Sequence, residues 1–170
     1  MKLIISSLAD AHTVIRVAKP SHVITLLGHD SIDDAPKFGS AERHLKMLVH
    51  DICEPCEGLI HPTEAMVEKV LTFGRGWTGE TPMLVHCWAG VSRSSAAAFM
   101  LACERCPETD EQVIAQRLRK ASRAATPNEL MVRLADDLLG RGGRMVDAVR
   151  AIGVGDYMHP NPPYELPTRF

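Results

Sequence analysis

Charge of a single sign is scarce in this chain. Nineteen lysines and arginines stand against 21 aspartates and glutamates, a formal net charge of −2 with a pI near 6.4. That balance excludes a basic nucleic-acid surface and a polybasic membrane anchor. Long apolar runs are scarce too. Met1-Lys2-Leu3-Ile4-Ile5 starts as a signal peptide would, but Ser6, Ser7 and Asp10 interrupt it, and no stretch reaches the length of a spanning helix. There is no internal repeat, low-complexity tract or second compositional regime, so 170 residues are read as one domain. The five cysteines are odd in number, which fits a reducing, cytoplasmic setting better than a disulfide framework. What remains is an ordinary globular composition, 45% hydrophobic and 24% charged, large enough for a real core.

Taken in order, Leu3-Ile4-Ile5 is a short edge or early strand, and Ser7 with Asp10 caps a helix over Ala11–Lys19 that Pro20 stops. His22 to Leu27 is continuously apolar and β-branched, as in a strand covered on both faces. Gly28–Gly39 reads as a loop, Arg43–His50 as an alternating strand, and Asp51–Pro62 as another loop. Thr63 opens a helix with Met66, Val67, Val70, Leu71 and Trp77 on one face. Ser94–Arg105 is helical and lined with alanine. Thr109 with Gln112, and Thr126-Pro127-Asn128-Glu129, read as two further helix starts. Gly140 ends the second, and a last short helix around Met145–Ile152 closes at Gly153. Four prolines mark His159–Phe170 as an extended tail. Early strand–helix alternation followed by helices predicts an α/β domain over 1–158: a mostly parallel sheet of four to five strands flanked by helices, with residues 159–170 as the tail.

One stretch carries chemistry: Leu84-Val85-His86-Cys87-Trp88-Ala89-Gly90-Val91-Ser92-Arg93-Ser94, then Ser95-Ala96-Ala97-Ala98. It reads as a buried strand, a tight loop and a helix start. Five residues, Trp88 to Ser92, separate Cys87 from Arg93. Successive N–H groups of such a loop can turn inward and cup an anion over the positive end of the helix. Arg93 can close the cup with a planar fork matched to two phosphate oxygens. Cys87 would lie at the bottom, where the same field favours the thiolate that a nucleophile needs.

His-Cys, five residues, Arg, Ser is the pattern that the chain shares with the cysteine-dependent protein tyrosine phosphatases, and it resembles their small dual-specificity members most. The resemblance runs from about Asp51 to Leu139, strongly at the loop. It implies a protein phosphatase that hydrolyses phosphomonoesters, phosphotyrosine and by extension phosphoserine or phosphothreonine, through a cysteinyl-phosphate, with no metal or cofactor. Cys87 would be the nucleophile, and Trp88, Ala89, Gly90, Val91, Ser92 and Arg93 would bind the phosphate. Asp51, directly after a strand and 36 positions before Cys87, is close to where these enzymes place their general acid; Asp33 and Asp34 are its rivals. His86 would orient the loop and help stabilise the thiolate. Ser94 would stabilise it as phosphate departs, and Asn128 would steady the loop. Two family features are missing: the aromatic loop that deepens a tyrosine-specific pocket, and the lysines that phosphoinositide phosphatases carry among the residues corresponding to Trp88–Ser92. The expected partner is therefore a phosphorylated protein or peptide met by a monomer, with neither nucleic acid nor membrane involved.

Other readings compete. A rhodanese-like sulfurtransferase also cradles an anion over a loop cysteine, though Gly90, Ser92 and Ser94 argue against it, and a non-catalytic phospho-binding module would need the acid misplaced. Cys53-Glu-Pro-Cys56 and Cys103-Glu-Arg-Cys106 could supply four thiolates to zinc, but lie much further apart than in a zinc ribbon. Cys53 or Cys56 could instead form a disulfide with oxidised Cys87. Arg117, Arg119, Lys120 and Arg123 read as a solvated basic face.

Overall fold

Strand side chains alternate between two faces, and here the alternation sorts the core into two layers. The computed structural model describes residues 1–40, 43–156 and 158–169. Its strands are β1 (Lys2–Ser6), β2 (His22–Leu27), β3 (His44–Leu48), β4 (Met83–His86) and β5 (Tyr164–Pro167), in the spatial order β3-β2-β4-β1-β5. The first four are parallel, and β5 joins β1 antiparallel. Helices follow as α1 (Leu8–Ala18), α2 (Glu64–Arg75), α3 (Arg93–Arg105), α4 (Glu111–Ala121), α5 (Glu129–Leu138) and α6 (Arg144–Ile152). The mostly parallel, helix-flanked sheet expected from the sequence is the one present.

Ile4, Leu84 and Val23 form one row across β1, β4 and β2 and pack on Ala11 and Val14 of α1. Their neighbours Leu3, Ile5, Met83, Val85, Ile24 and Leu26 face the other way, into the larger core shared with α2 to α6. This is why β2 reads as an unbroken apolar run: both faces are covered. Two residues beyond the apolar row, the α1 side carries Ser6, His86 and Thr25, again in register. The sheet thus becomes polar at the C-terminal ends of its strands, where open α/β sheets gather ligands.

Helix α3 is the central one. Every residue from Arg93 to Cys103 is buried, and Ala96-Ala97-Ala98 keeps it slim enough to be enclosed. Helix α2 closes on it at Gly74, where a Cβ would lie 2.2 Å from Leu101 Cδ2. Ser7 and Thr63 cap α1 and α2 as expected, accepting from the amides of Asp10 and Met66.

Four local expectations need correction. Asp110, not Thr109, caps α4, accepting from Gln112 N at 2.7 Å. Asn128, not Thr126, caps α5, its Oδ1 accepting from Met131 N at 3.1 Å. Thr126 is committed elsewhere, its amide to Val91 O and its hydroxyl to Ala124 O. Trp77 lies beyond the end of α2, yet is buried, with Nε1 donating to Thr81 O at 2.8 Å. The proline-rich end is no loose tail: Tyr164 and Leu166 are buried, and Glu165 points out to Lys2 Nζ at 2.6 Å. The prolines obscured a two-residue alternation, and Pro167 is tolerated because β5 is an edge strand. Phe170, the last residue of that stretch, lies outside the described residues.

Candidate active site

The loop between β4 and α3 is shaped by what its carbonyls touch. Trp88 O accepts from Leu8 N at 3.1 Å, Val91 O from Thr126 N at 2.9 Å, and Ser92 O from Ala96 N at 2.9 Å. Gly90 O accepts from two side chains, Tyr164 Oη at 3.1 Å and Asn161 Nδ2 at 3.2 Å. In a planar trans peptide the carbonyl and the following N–H point in opposite directions. Fixing these four carbonyls to the surrounding framework therefore turns the amides of Ala89, Val91, Ser92 and Arg93 to the concave side. Gly90 permits the turn: its φ is +73°, and a Cβ there would lie 2.8 Å from Ser6 C and 2.9 Å from Ser7 N.

Cys87 directly follows β4 and is 2% exposed, with Sγ 3.1 Å from Ser94 Oγ in the first turn of α3. Arg93 is also buried. Its Nη1 donates to Val49 O at 2.8 Å, which holds the guanidinium against the end of β3. Its Nε is buried and has no hydrogen-bond partner among the described residues. A buried guanidinium donor beside a ring of inward amides is a place where an anion completes the hydrogen bonding.

Asp51 stands across the cleft, on the loop that follows β3. His50 closes the base of that loop, its amide donating to Ile60 O and its Nδ1 accepting from Ile60 N. Ser92 Oγ donates to Asp51 Oδ1 at 2.6 Å, and Asn128 Nδ2 donates to the same oxygen at 2.9 Å. The structure brings Asp51 together with Cys87 and Arg93: all three line one cleft of about 830 Å³. Asp34 lines a smaller adjoining groove of about 290 Å³ that also includes Asp51 and Arg93; Asp33 lines neither. Asn128 acts differently from the expectation. Its side chain holds the Asp51 loop, and only its backbone amide reaches the loop between β4 and α3, at Ser92 O.

His86 is fully buried, with Nε2 2.7 Å from Thr25 Oγ1; that hydroxyl also meets His44 Nε2 at 2.8 Å. Burial, and secondarily the neighbouring His44, lower its pKa to about 4. The ring is therefore neutral near pH 7; Thr25 of β2 holds its Nε2, and its Nδ1 is buried with no hydrogen-bond partner among the described residues.

Trp88 is 65% exposed and forms an apolar lip with Pro127, Val149 and Val154. Ala89, Val91 and Ser92 also line the cleft, whereas Gly90 is buried behind it. Cys53 lines the cleft too, and Cys56 is exposed. Cys103 is in the core, where burial and nearby Glu111 push its thiol pKa up, and Cys106 Sγ donates to Thr168 O. Among the described residues no three His, Cys, Asp or Glu side chains are grouped to hold a metal, and no helix is long and apolar enough to cross a membrane. Sequence reasoning missed Asn161, Tyr164 and Ser95, whose hydroxyl donates to the carbonyls of Val91 and Ser92. The first two lie among prolines, and Ser95 looks like any helix-start serine.

No protein-family model matches the chain, and no curated protein matches it in sequence. Solved structures do resemble it. The PTP-2 phosphatase of Cydia pomonella is similar with a TM-score of 0.57 at 21% identity, over 78% of this chain and 83% of that one. PTPMT1 gives 0.57 at 14% identity, over 82% and 92%. A second PTPMT1 structure, in complex with PI(5)P, gives 0.54. DUSP15 gives 0.53 at 15% identity, over 87% and 88%. The fold is that of the cysteine-dependent protein tyrosine phosphatases, a single α/β domain. Both PTP-type and dual-specificity structures share it with this chain.

Proposed function

We propose that the chain is a cysteine-dependent phosphatase acting on phosphorylated proteins or peptides. The observation that carries the reading is the convergence, in one cleft, of Cys87, the Asp51 carboxyl group and Arg93, whose Nε–H has no partner among the described residues. Inward amides and Arg93 bind the equatorial oxygens of a phosphate monoester. Cys87 Sγ, as thiolate, attacks phosphorus; the bond from phosphorus to the ester oxygen breaks, and that oxygen takes a proton from Asp51. Asp51, now a carboxylate, takes a proton from water as the water oxygen attacks phosphorus. The S–P bond breaks, inorganic phosphate forms, and Ser94 Oγ hydrogen-bonds the released thiolate.

Both hydrogen bonds to Asp51 fall on Oδ1, so Oδ2 is the oxygen suited to carry the proton. The apolar lip of Trp88 and Val154 suits the side chain of a phosphorylated residue. Among Trp88–Ser92 there is no lysine for a multiply phosphorylated headgroup, which favours peptide over phosphoinositide. The thiolate requirement fits a reducing, cytoplasmic setting, and all five cysteines are free. The test is hydrolysis of an aryl phosphate by wild type and Cys87→Ser, followed by phosphotyrosine and phosphothreonine peptides with a phosphoinositide arm. Release of phosphate from the peptides by wild type alone supports the reading. Full activity of Cys87→Ser ends it, and turnover of the phosphoinositide alone reassigns the substrate.

A further inference from the structure

Of the four carbonyls that shape the phosphate loop, three accept from backbone amides, and Gly90 O is held by side chains alone among the described residues. Both of its donors come from the C-terminal segment, more than 70 positions away: Asn161 and Tyr164, at 3.2 and 3.1 Å. Each is itself held in place. Ala125 N donates to Ser122 Oγ at 3.1 Å, and Ser122 Oγ donates to Asn161 Oδ1 at 2.7 Å. With its oxygen engaged in this way, the Asn161 amide must present Nδ2 to Gly90. Tyr164 is fixed by β5, where it is paired with Ile5 of β1, and only 6% of it is exposed. Burial raises the tyrosine pKa well above its ordinary value, with the proximity of Cys87 adding to the shift. The hydroxyl therefore stays protonated and remains a donor.

We infer that Asn161 and Tyr164 are positioning residues of the active site: together they clamp the Gly90 carbonyl so that the Val91 N–H is held toward the bound phosphate. The inference rests on the phosphatase reading, because it assigns the loop's ligand. The physical need is specific to this peptide. Gly90 is the loop residue with the widest backbone freedom, at φ +73°. Rotation of the Gly90–Val91 peptide would replace an inward N–H donor with an inward carbonyl, which repels an anion. Two donors on one acceptor share the clamp. Losing either loosens the carbonyl, whereas losing both releases it.

The test compares wild type, Tyr164→Phe, Asn161→Ala, their double variant and Ser122→Ala. The readouts are calorimetric Kd for inorganic phosphate and steady-state hydrolysis of an aryl phosphate. Thermal melts and titration of the Cys87 thiol count the folded, competent fraction. Each single variant weakens phosphate binding by about two- to tenfold, the range of one ordinary hydrogen bond. The double variant weakens it by more than the product of the singles, with the same loss in kcat/KM. Ser122→Ala, which touches no atom of the loop, reproduces part of the Asn161→Ala loss. A merely structural role would instead lower the competent fraction and leave Kd of the remainder unchanged, and that result overturns the inference. So does a double variant that binds phosphate as wild type does while wild type is active, a result that leaves the phosphatase reading standing. If wild type binds phosphate without hydrolysing the ester, the phosphatase reading falls and the clamp is still decided by Kd. If wild type neither binds phosphate nor hydrolyses the ester, both fall.

Discussion

Ser92 donates its hydroxyl to Asp51 Oδ1 at 2.6 Å, joining the loop between β4 and α3 to the loop after β3 across 41 positions of sequence. This contact, reinforced by Asn128 at 2.9 Å, holds the exposed Asp51 carboxyl group where we propose that it serves as the general acid. In Asp51→Asn the hydrogen bonds persist but the proton donor is gone. We expect kcat for an aryl phosphate to fall by about 10²- to 10⁴-fold, the usual contribution of general acid–base catalysis. Kd for inorganic phosphate should change little. The fall should be larger for an alkyl phosphate, whose leaving oxygen needs the proton more. If Asp51→Asn keeps wild-type kcat, the role passes to Asp34, which lines the adjoining groove.

The 3.1 Å contact of Ser94 Oγ with Cys87 Sγ matters most when the thiolate is the leaving group. Ser94→Ala should therefore slow hydrolysis of the cysteinyl-phosphate more than its formation. In stopped flow this appears as a burst of aryl alcohol equal to the enzyme concentration, followed by a steady state reduced by about tenfold or more, one charge-assisted hydrogen bond being worth about 1.5–3 kcal/mol. Equal slowing of both phases would mean that the hydroxyl serves only the fold.

The residues of the proposed site were legible where chemistry constrains residue type. Cys87, Arg93 and the glycine at 90 could be singled out because the nucleophile and anion fork that we propose, and the left-handed turn at Gly90, each demand particular side chains. Asp51 was legible from its place after β3. The supports were not. Asn161 and Tyr164 act through Gly90 O from the far end of the chain, and a hydrogen bond to a carbonyl can be made by many residue types. The fold followed the same division. Continuous apolar runs marked β2 and β4, but β5 has only Tyr164 and Leu166 to announce it among prolines. Caps were misplaced by one or two residues because Thr126 and Asn128 both satisfy the local pattern, and only the tertiary bond from Thr126 N to Val91 O decides between them.

Removal of residues 159–170 tests whether the C-terminal stretch is dispensable, as its proline content suggests, or part of the domain. It would strip β5 from β1 and uncover Leu3 and Ile5 beside the lost Tyr164 and Leu166. Two large side chains leaving the core amount to about 3–6 kcal/mol at ~1.5–3 kcal/mol each, against a typical total of about 5–15 kcal/mol. We expect the truncated chain to melt at least 10 °C lower or to aggregate through the exposed β1 edge. A truncated protein with an unchanged melting temperature and phosphate affinity would show residues 159–170 to be a mere appendage.

Burial of His86 is expected to make the fold sensitive to acid. In the unfolded chain His86 titrates near 6.5, and in the fold at about 4, because burial opposes the charged ring. A folded pKa below the unfolded one means that the unfolded state binds more protons between these values. Stability is thus fully present above about pH 6.5 and is lost as pH falls through that window to about 4. A shift of this size corresponds to about 3 kcal/mol at 1.36 kcal/mol per pH unit. His44, also lowered mainly by burial, adds in the same direction. Denaturant unfolding of wild type from pH 7 to pH 4 should show this decline. His86→Gln replaces the ring with an amide that has no charged form but can still reach Thr25 Oγ1. It should be less stable than wild type at pH 7, yet lose less on acidification, so the two curves converge. Parallel curves would place the acid sensitivity elsewhere, and a His86 ring seen by NMR to titrate near 6.5 in the folded protein would remove its cause.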